Sequence, residues 1–167
     1  MAESIELWDA YDKDMNRIEG VKLVRGEPIP DGMYHLVCDI AVRHSDGSWL
    51  LMRRHPVKPF GDRWELSAGG SALSGEPALE AAKRELFEET GIENATFSEL
   101  GRIIHHSGHS IYVEFLAETD CDKRSITVQD GETVGFKWVS TEELVSLPKK
   151  ELAMWRIQPM IDELREY

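Results

Sequence analysis

The chain has 167 residues, a formal net charge of −12, 41% hydrophobic and 30% charged residues, a balance that fits one soluble domain with enough chain to bury a core. That negative charge opposes nonspecific binding to nucleic acid polymers and anionic membrane surfaces, though not binding of a small phosphorylated molecule in a locally basic pocket. No apolar run approaches the roughly 20 residues that span a bilayer. MAESIELWDA lacks the basic and apolar regions of a signal peptide, so the expected location is cytoplasmic, with Cys38 and Cys121 reduced.

Along the chain, YHLVCDIAVRH (34–44) and SWLLMRR (48–54) read as strands joined across Asp46-Gly47, a dipeptide suited to a tight hairpin turn. Cys38 falls within the apolar strand and is expected to be a buried, inert thiol. Arg53, Arg54, His55 and Lys58 then form a basic cluster that suits either contacts to substrate phosphates or a solvated strand end. SAGGSALSGEP (67–77) follows, where Gly69, Gly70 and Gly75 allow close approach to the backbone. Pro77 suits a first helical turn, Ala78, Leu79, Ala81, Ala82 and Leu86 favour the helix, and Gly91 can adopt the left-handed conformation that ends it. These signals predict a helix over Pro77–Thr90 with a core stripe of Ala78, Leu79, Ala82 and Leu86.

Glu85, Glu88 and Glu89 fall on one face of that helix, at spacings of three and four. Like charges so placed repel by about 0.2–0.5 kcal/mol per pair. Two things could offset this: ion pairs with Arg84, four residues from both Glu80 and Glu88, or a hard divalent cation, which takes carboxylate oxygens as ligands.

Downstream, ATFSELGRIIHHS, SIYVEFLAET and TVGFKWVS read as strands, TEELVSL as a helix capped at Ser140 or Thr141, and Lys150 to Leu164 as a C-terminal helix containing Pro159. Glu114 fits the polar side of its strand. His105, His106 and His109 have no neighbouring cysteine and do not make a zinc set. Trp8, Trp49, Trp138 and Trp155 read as core or interface residues, and Trp64 as core or pocket wall. Strands on both sides of a central helix, followed by a helical end, fit an α/β sandwich.

Gly70, five residues, Glu76, seven residues, then REL-FEETGI from Arg84 to Ile92 resembles the complete signature of the Nudix hydrolase family, with every specified position filled. MRRHPVKPFGDRWELSAGG (52–70) and LWDAYDKDMNRIEG (7–20) are similar, more loosely, to the isopentenyl-diphosphate isomerase-like branch. The resemblance implies a single Nudix domain over 1–167, with 1–30 as its N-terminal extension, folded as an α/β/α sandwich with a mixed β-sheet. It implies a metal-dependent hydrolase that cleaves a phosphoanhydride in a nucleoside diphosphate derivative or other organic pyrophosphate. Mg²⁺ or Mn²⁺ would be held by Glu85, Glu88 and Glu89, with the Gly69 carbonyl and Glu76, while Arg84 holds a glutamate in place.

The general base would be a glutamate of the signature, such as Glu89, or one on an outside loop. Glu132 in QDGETVGF is the first outside candidate and Glu114 the second, although Asp130-Gly131 also announces an ordinary turn at Glu132. Arg53, Arg54 and Lys58 remain the candidate phosphate contacts, and a homodimer is one assembly the resemblance implies. Two alternatives stand beside hydrolysis. An isopentenyl-diphosphate isomerase would need a cysteine in WELSAGG, which has none, and a non-catalytic binding module would usually show a damaged signature.

Overall fold

The computed structural model describes residues 5–153 and 157–164. An antiparallel hairpin of β1 (Leu7–Tyr11) and β2 (Arg17–Val24) forms a separate two-stranded sheet. A second sheet comprises β3 (His35–His44), β4 (Trp49–Arg54), β5 (Trp64–Leu66), β6 (Ala68–Ser71), β7 (Thr96–His105), β8 (Ser110–Thr119) and β9 (Thr133–Val139). The helices are α1 (Ala78–Thr90), α2 (Thr141–Val145) and α3 (Ile157–Glu163).

Side-chain alternation on β3 and β8 sets the layers. These strands pair in parallel from His35↔Ser110 to His44↔Thr119, whereas the other strand pairings are antiparallel, so the sheet is mixed. Successive side chains point to opposite faces. On one face Leu36, Cys38, Ile40, Val42, Ile111, Val113 and Phe115 meet Ala78, Ala81, Ala82 and Leu86 of α1. On the other, Ala41, Trp49, Leu51, Leu66 and Leu116 are covered by Leu144 of α2 and by Met160 and Ile161 of α3. The result is the α/β/α sandwich, and full burial of a side chain such as Leu86 contributes roughly 1.5–3 kcal/mol.

The large sheet forks. β3 meets β4 only at Arg43↔Trp49; further along, its edge is taken by β6, from Val37↔Ser71 to Ile40↔Ala68, while β4 pairs with β5 and β9. Ser67, fully buried, sits in the fork: its hydroxyl accepts from the Val42 N–H at 2.8 Å and donates to the Leu50 carbonyl at 2.8 Å. A buried hydroxyl with both roles satisfied replaces strand pairing that the split has removed.

Helix α1 begins after Pro77, which is extended and provides no side-chain cap, and ends at Gly91, whose φ of 77° is left-handed and whose N–H donates to the Phe87 carbonyl. Two expectations need correction. Leu79 is 39% exposed, and Ala81, at 0%, takes its place in the core stripe; at about 100° per residue Leu79 stands beside Leu86 on the helix wheel, so tertiary packing around the first turn, and not its angle, decides its exposure. The predicted helix over 150–164 does not start at Lys150: Lys149–Glu151 is a short 3₁₀ turn, and the helix among the described residues there is α3, Ile157–Glu163. Leu152 instead bridges Trp64, with the Ala153 N–H donating to the Trp64 carbonyl at 2.8 Å, so pairing with the edge of β5 competes successfully with helix. Pro159 lies within α3. Trp155 lies outside the described residues.

The other tryptophans follow the core-or-wall reading. Trp49 is fully buried, Trp8 nearly so, and Trp64 and Trp138 are half-buried. Ser140 caps α2 through a reciprocal bond pair with Glu143.

The N-terminal hairpin is tied to the large sheet. Tyr11 and Tyr34 exchange backbone hydrogen bonds at 2.8 and 2.9 Å. Asp9, 5% exposed, pairs with Lys22 and accepts from the Ser74 hydroxyl at 3.2 Å and the Gly75 N–H at 2.9 Å. Burial works against its charge, but these donors hold the carboxyl below the usual carboxylate range.

Trp8 stacks on His35, with centroids 4.0 Å apart and planes 13° from parallel. The single Ser110 hydroxyl hydrogen goes to the Gly108 carbonyl at 2.9 Å, so Ser110 Oγ accepts from His35 Nε2–H at 3.1 Å. His35 Nδ1 is thereby a buried lone pair without a hydrogen-bond partner among the described residues. Burial pushes the His35 pKa down from the usual 6.5 to about 4, against an opposing pull from Glu6. The unfolded chain therefore binds a proton at pH values where the folded one does not. The His35 contribution is present above pH ~6.5 and is lost as pH falls towards about 4, by about 3 kcal/mol in all. Urea midpoints at pH 7 and pH 4.5 check this: His35→Phe should show a smaller acid loss than wild type, and equal losses would assign the effect to other groups.

Candidate active site

The cleft lies where the sheet forks, with the glycine-containing strand β6 and helix α1 along one side. Arg84 locks that side together. Its Nε and Nη2 donate to Glu76 Oε1 and Oε2 at 2.8 and 2.9 Å, Nη2 also to the Ser71 carbonyl at 3.1 Å, and Nη1 to Glu85 at 2.7 Å and Glu88 at 3.3 Å. All three guanidinium nitrogens are engaged. The bidentate pairing with Glu76 is the planar match that arginine makes better than lysine, and it holds the Glu76 carboxyl below its ordinary pKa.

Gly70 makes room for Glu85. A Cβ built at Gly70 would lie 2.3 Å from the Glu85 carboxyl carbon, so only glycine lets this carboxylate rest against the backbone without displacing it. Burial raises the Glu85 pKa, opposed by Arg84. Glu89, one turn further on, has a long contact from the Gly69 N–H at 3.4 Å. Burial, reinforced by the charges of Glu65 and Glu85, pushes its pKa up to about 8.

The opposite side carries the cations. Arg54 Nη1 donates to Glu65 at 2.6 Å and its Nε to the Pro59 carbonyl at 3.1 Å. Lys58 pairs with Glu132, and burial, then Arg54, lowers the Lys58 pKa. Two chambers meet here. One, of about 240 Å³, has an apolar wall of Val37, Leu66 and Met160 beside Tyr112, facing Asp39, Arg54 and Glu65. The other, of about 370 Å³, is polar and bordered by Arg84, Glu85 and Glu88. Lys58, Gly69, Gly70, Glu89 and Glu132 border both. A larger groove of about 930 Å³ around Asp46 and Glu118 contains none of the predicted site residues.

The structure thus brings together Arg54, Lys58, Gly69, Arg84, Glu85, Glu88, Glu89 and Glu132. Glu132 reaches into the cleft instead of standing as a solvated turn residue. Glu76 is placed behind Arg84 and borders neither chamber, and Arg53 turns outward to Asp62 at 3.2 Å. Glu114 is 2% exposed on β8, its pKa raised by burial and then by Glu163, and borders neither chamber. His106 Nδ1 meets the Tyr34 hydroxyl at 2.8 Å and His109 Nδ1 the Met33 carbonyl at 3.1 Å. Sequence reasoning missed Glu65, Tyr112, Glu6 and Arg25 in the chamber walls. Glu65 could have been flagged as a charged residue in an otherwise apolar strand; Glu6 and Arg25 meet only through the fold of the hairpin.

The acidic face suits a hard cation: its donors are oxygens, Glu85 is seated against a glycine backbone, and Glu89 carries repulsion from Glu65 and Glu85 that a cation would relieve. Among the described residues, however, no three His, Cys, Asp or Glu side chains are gathered around one point as a ligand set.

A forked mixed sheet between helices, with a carboxylate helix and glycine strand lining the fork, defines the Nudix class of α/β/α sandwich. The model of the NUDIX domain matches residues 33–162, and this chain belongs to the Nudix family and is a Nudix hydrolase. An uncharacterized Nudix hydrolase of Listeria monocytogenes is 30% identical over 144 residues, covering 86% of this chain and 85% of its own. The fold is shared with a Deinococcus radiodurans protein at a TM-score of 0.75 and 21% identity, over 94% of this chain and 98% of that one. It is also shared with the NUDIX domain of Shewanella oneidensis NrtR, solved with ADP ribose, at a TM-score of 0.63 and 21% identity, over 80% and 87% of the two chains. Nudix hydrolases generally use divalent metals and act on small molecules. Among the described residues no helix is long and apolar enough to cross a membrane.

Proposed function

We propose that this Nudix hydrolase cleaves a phosphoanhydride link in a nucleoside diphosphate derivative or another organic pyrophosphate, with Mg²⁺ or Mn²⁺ as cofactor. The observation that carries this reading is the meeting of an apolar-walled chamber and a carboxylate-lined one at Lys58, Gly69, Gly70, Glu89 and Glu132. A molecule with an organic half and a diphosphate half matches that division. The complex of the Shewanella NUDIX domain with ADP ribose supports the same substrate class. Residues 1–30 are read as an extension of the same domain, supported by the Asp9 contacts to Ser74 and Gly75.

Glu85, Glu88 and Glu89, with the Gly69 carbonyl, would hold the cation, which supplies Lewis-acid stabilisation of charge on the phosphate oxygens. Glu76 acts through Arg84, which holds Glu85 and Glu88 in place. Lys58, where the chambers meet, and Arg54, on the wall of the first chamber, bind phosphate oxygens. Glu89 borders both chambers and takes the proton from the attacking water; Glu132 orients Lys58. Glu132→Gln should accordingly lower turnover by less than about tenfold, and a loss of roughly 10²-fold would transfer the base role to Glu132.

Isomerisation is the lesser reading, because no cysteine borders either chamber. The Cys38 thiol is fully buried, donates to the Ala78 carbonyl at 3.2 Å and is pushed up to about 12 by burial. Incubation with Mg²⁺ and a panel of nucleoside-diphosphate conjugates, nucleotides and isopentenyl diphosphate tests the proposal. Metal-dependent cleavage products are expected. Isomerised isopentenyl diphosphate without cleavage would replace hydrolysis with the isomerase, and metal binding without turnover would favour a binding module.

A further inference from the structure

We infer that Arg25, at the end of the N-terminal hairpin, is a substrate-binding residue that takes the phosphate lying furthest from the apolar chamber. The inference rests on the pyrophosphohydrolase reading of the cleft and adds to it a residue outside the stretch matched by the NUDIX model, 33–162.

The polar chamber has three cations on its walls, Arg25, Lys58 and Arg84. Arg84 has all three nitrogens committed to Glu76, Glu85, Glu88 and the Ser71 carbonyl. Lys58 is paired with Glu132. The Lys58 ammonium keeps N–H donors for the phosphate where the chambers meet, and Arg25 keeps them in the polar chamber alone: Nη1 bonds Glu6 Oε2 at 2.8 Å, while Nε and Nη2 have no partner among the described residues. A guanidinium with one edge anchored and the other open suits a phosphate, which accepts two parallel N–H donors.

Arg25 is also held in position. Its backbone N–H donates to the Glu6 carbonyl at 3.0 Å, and Glu6 Oε1 accepts from Trp8 Nε1 at 2.7 Å. Trp8 is in turn stacked on His35 at the start of β3. The anchoring residues are thus pinned to the large sheet, and the 67% exposed Arg25 side chain projects from them. Since Glu89 and Lys58 stand where the chambers meet and Arg25 borders only the polar one, the substrate runs from its organic group, across these residues, to a phosphate at Arg25.

Imidodiphosphate, a pyrophosphate analogue with a nitrogen bridge and no organic group, is the probe. Its binding in the presence of Mg²⁺ is measured by calorimetry for wild type, Arg25→Ala, Arg25→Lys and Arg17→Ala, the last a control on the same hairpin that borders neither chamber. Arg25→Ala should weaken binding about tenfold, the scale of a charge-assisted hydrogen bond, with Arg25→Lys between it and wild type and Arg17→Ala unchanged. Thermal midpoints should agree among the four proteins. Equal affinity for wild type and Arg25→Ala, an equal loss in Arg17→Ala, or no binding by wild type would each overturn the inference. Turnover on the substrate panel separates the two readings: wild-type cleavage with imidodiphosphate affinity indifferent to Arg25 removes only this inference, whereas imidodiphosphate binding that depends on Arg25, without any cleavage, removes the hydrolase reading and leaves the phosphate contact.

Discussion

Glu89→Gln should fold as wild type does and lose roughly 10²-fold or more in turnover, the scale of removing a positioned acid–base group. Glutamine keeps the shape of the side chain and removes its repulsion with Glu65 and Glu85, so the thermal midpoint should not fall. Initial rates at saturating Mg²⁺, alongside the midpoint, separate chemistry from folding. Near-normal turnover by the folded variant would take Glu89 out of the reaction and direct attention to Glu132.

Gly69→Ala is expected to damage structure and activity together. The added Cβ would lie 2.6 Å from the Cys38 carbonyl oxygen and 3.1 Å from Asp39 Oδ1, so β6 would have to shift from β3 at the Asp39↔Gly69 pair. Overpacking of this kind costs about 1–3 kcal/mol, and a displacement near 1 Å at a residue bordering both chambers is enough for roughly 10²-fold in rate. Gly70→Ala is the informative contrast. There the new atom meets the end of the Glu85 side chain, which can rotate away, so activity should fall with little change in stability. A wild-type urea midpoint for Gly69→Ala would refute the close-packing account of β6.

Much of the fold was legible where local chemistry and tertiary packing agree. Asp46-Gly47 marked the turn between β3 and β4, and Pro77 and Gly91 bracketed α1 because their backbone preferences match the positions they occupy. Prediction failed where a distant partner decides. Leu152 is extended because Trp64, far away in sequence, offers a backbone carbonyl to Ala153. In the site, the helix carboxylates could be read from their spacing, but the position of Glu76 could not: it depends on both of its oxygens being taken by one arginine. Arg53 and Arg54 part because neighbouring residues of β4 point to opposite faces, but which face looks into the cleft is decided by what packs around the strand.

The fork at Ser67 divides the proposed catalytic set between two limbs. Lys58 and Arg54 ride on the β4 limb, and Glu132 at the entry to β9 rides with them; Gly69 on β6 and Glu89 on α1 belong to the β3 limb. Ser67 ties the limbs at their root, and each core draws on both of them, Leu50 and Met52 packing with Leu36 and Cys38 on one face, Trp49 and Leu51 with Ala41 and Leu116 on the other, so the packing beneath the cleft sets the gap between cations and carboxylates. A change in that gap would have to be transmitted through both cores, which makes the cleft a rigid mould for whatever lies between its two sides.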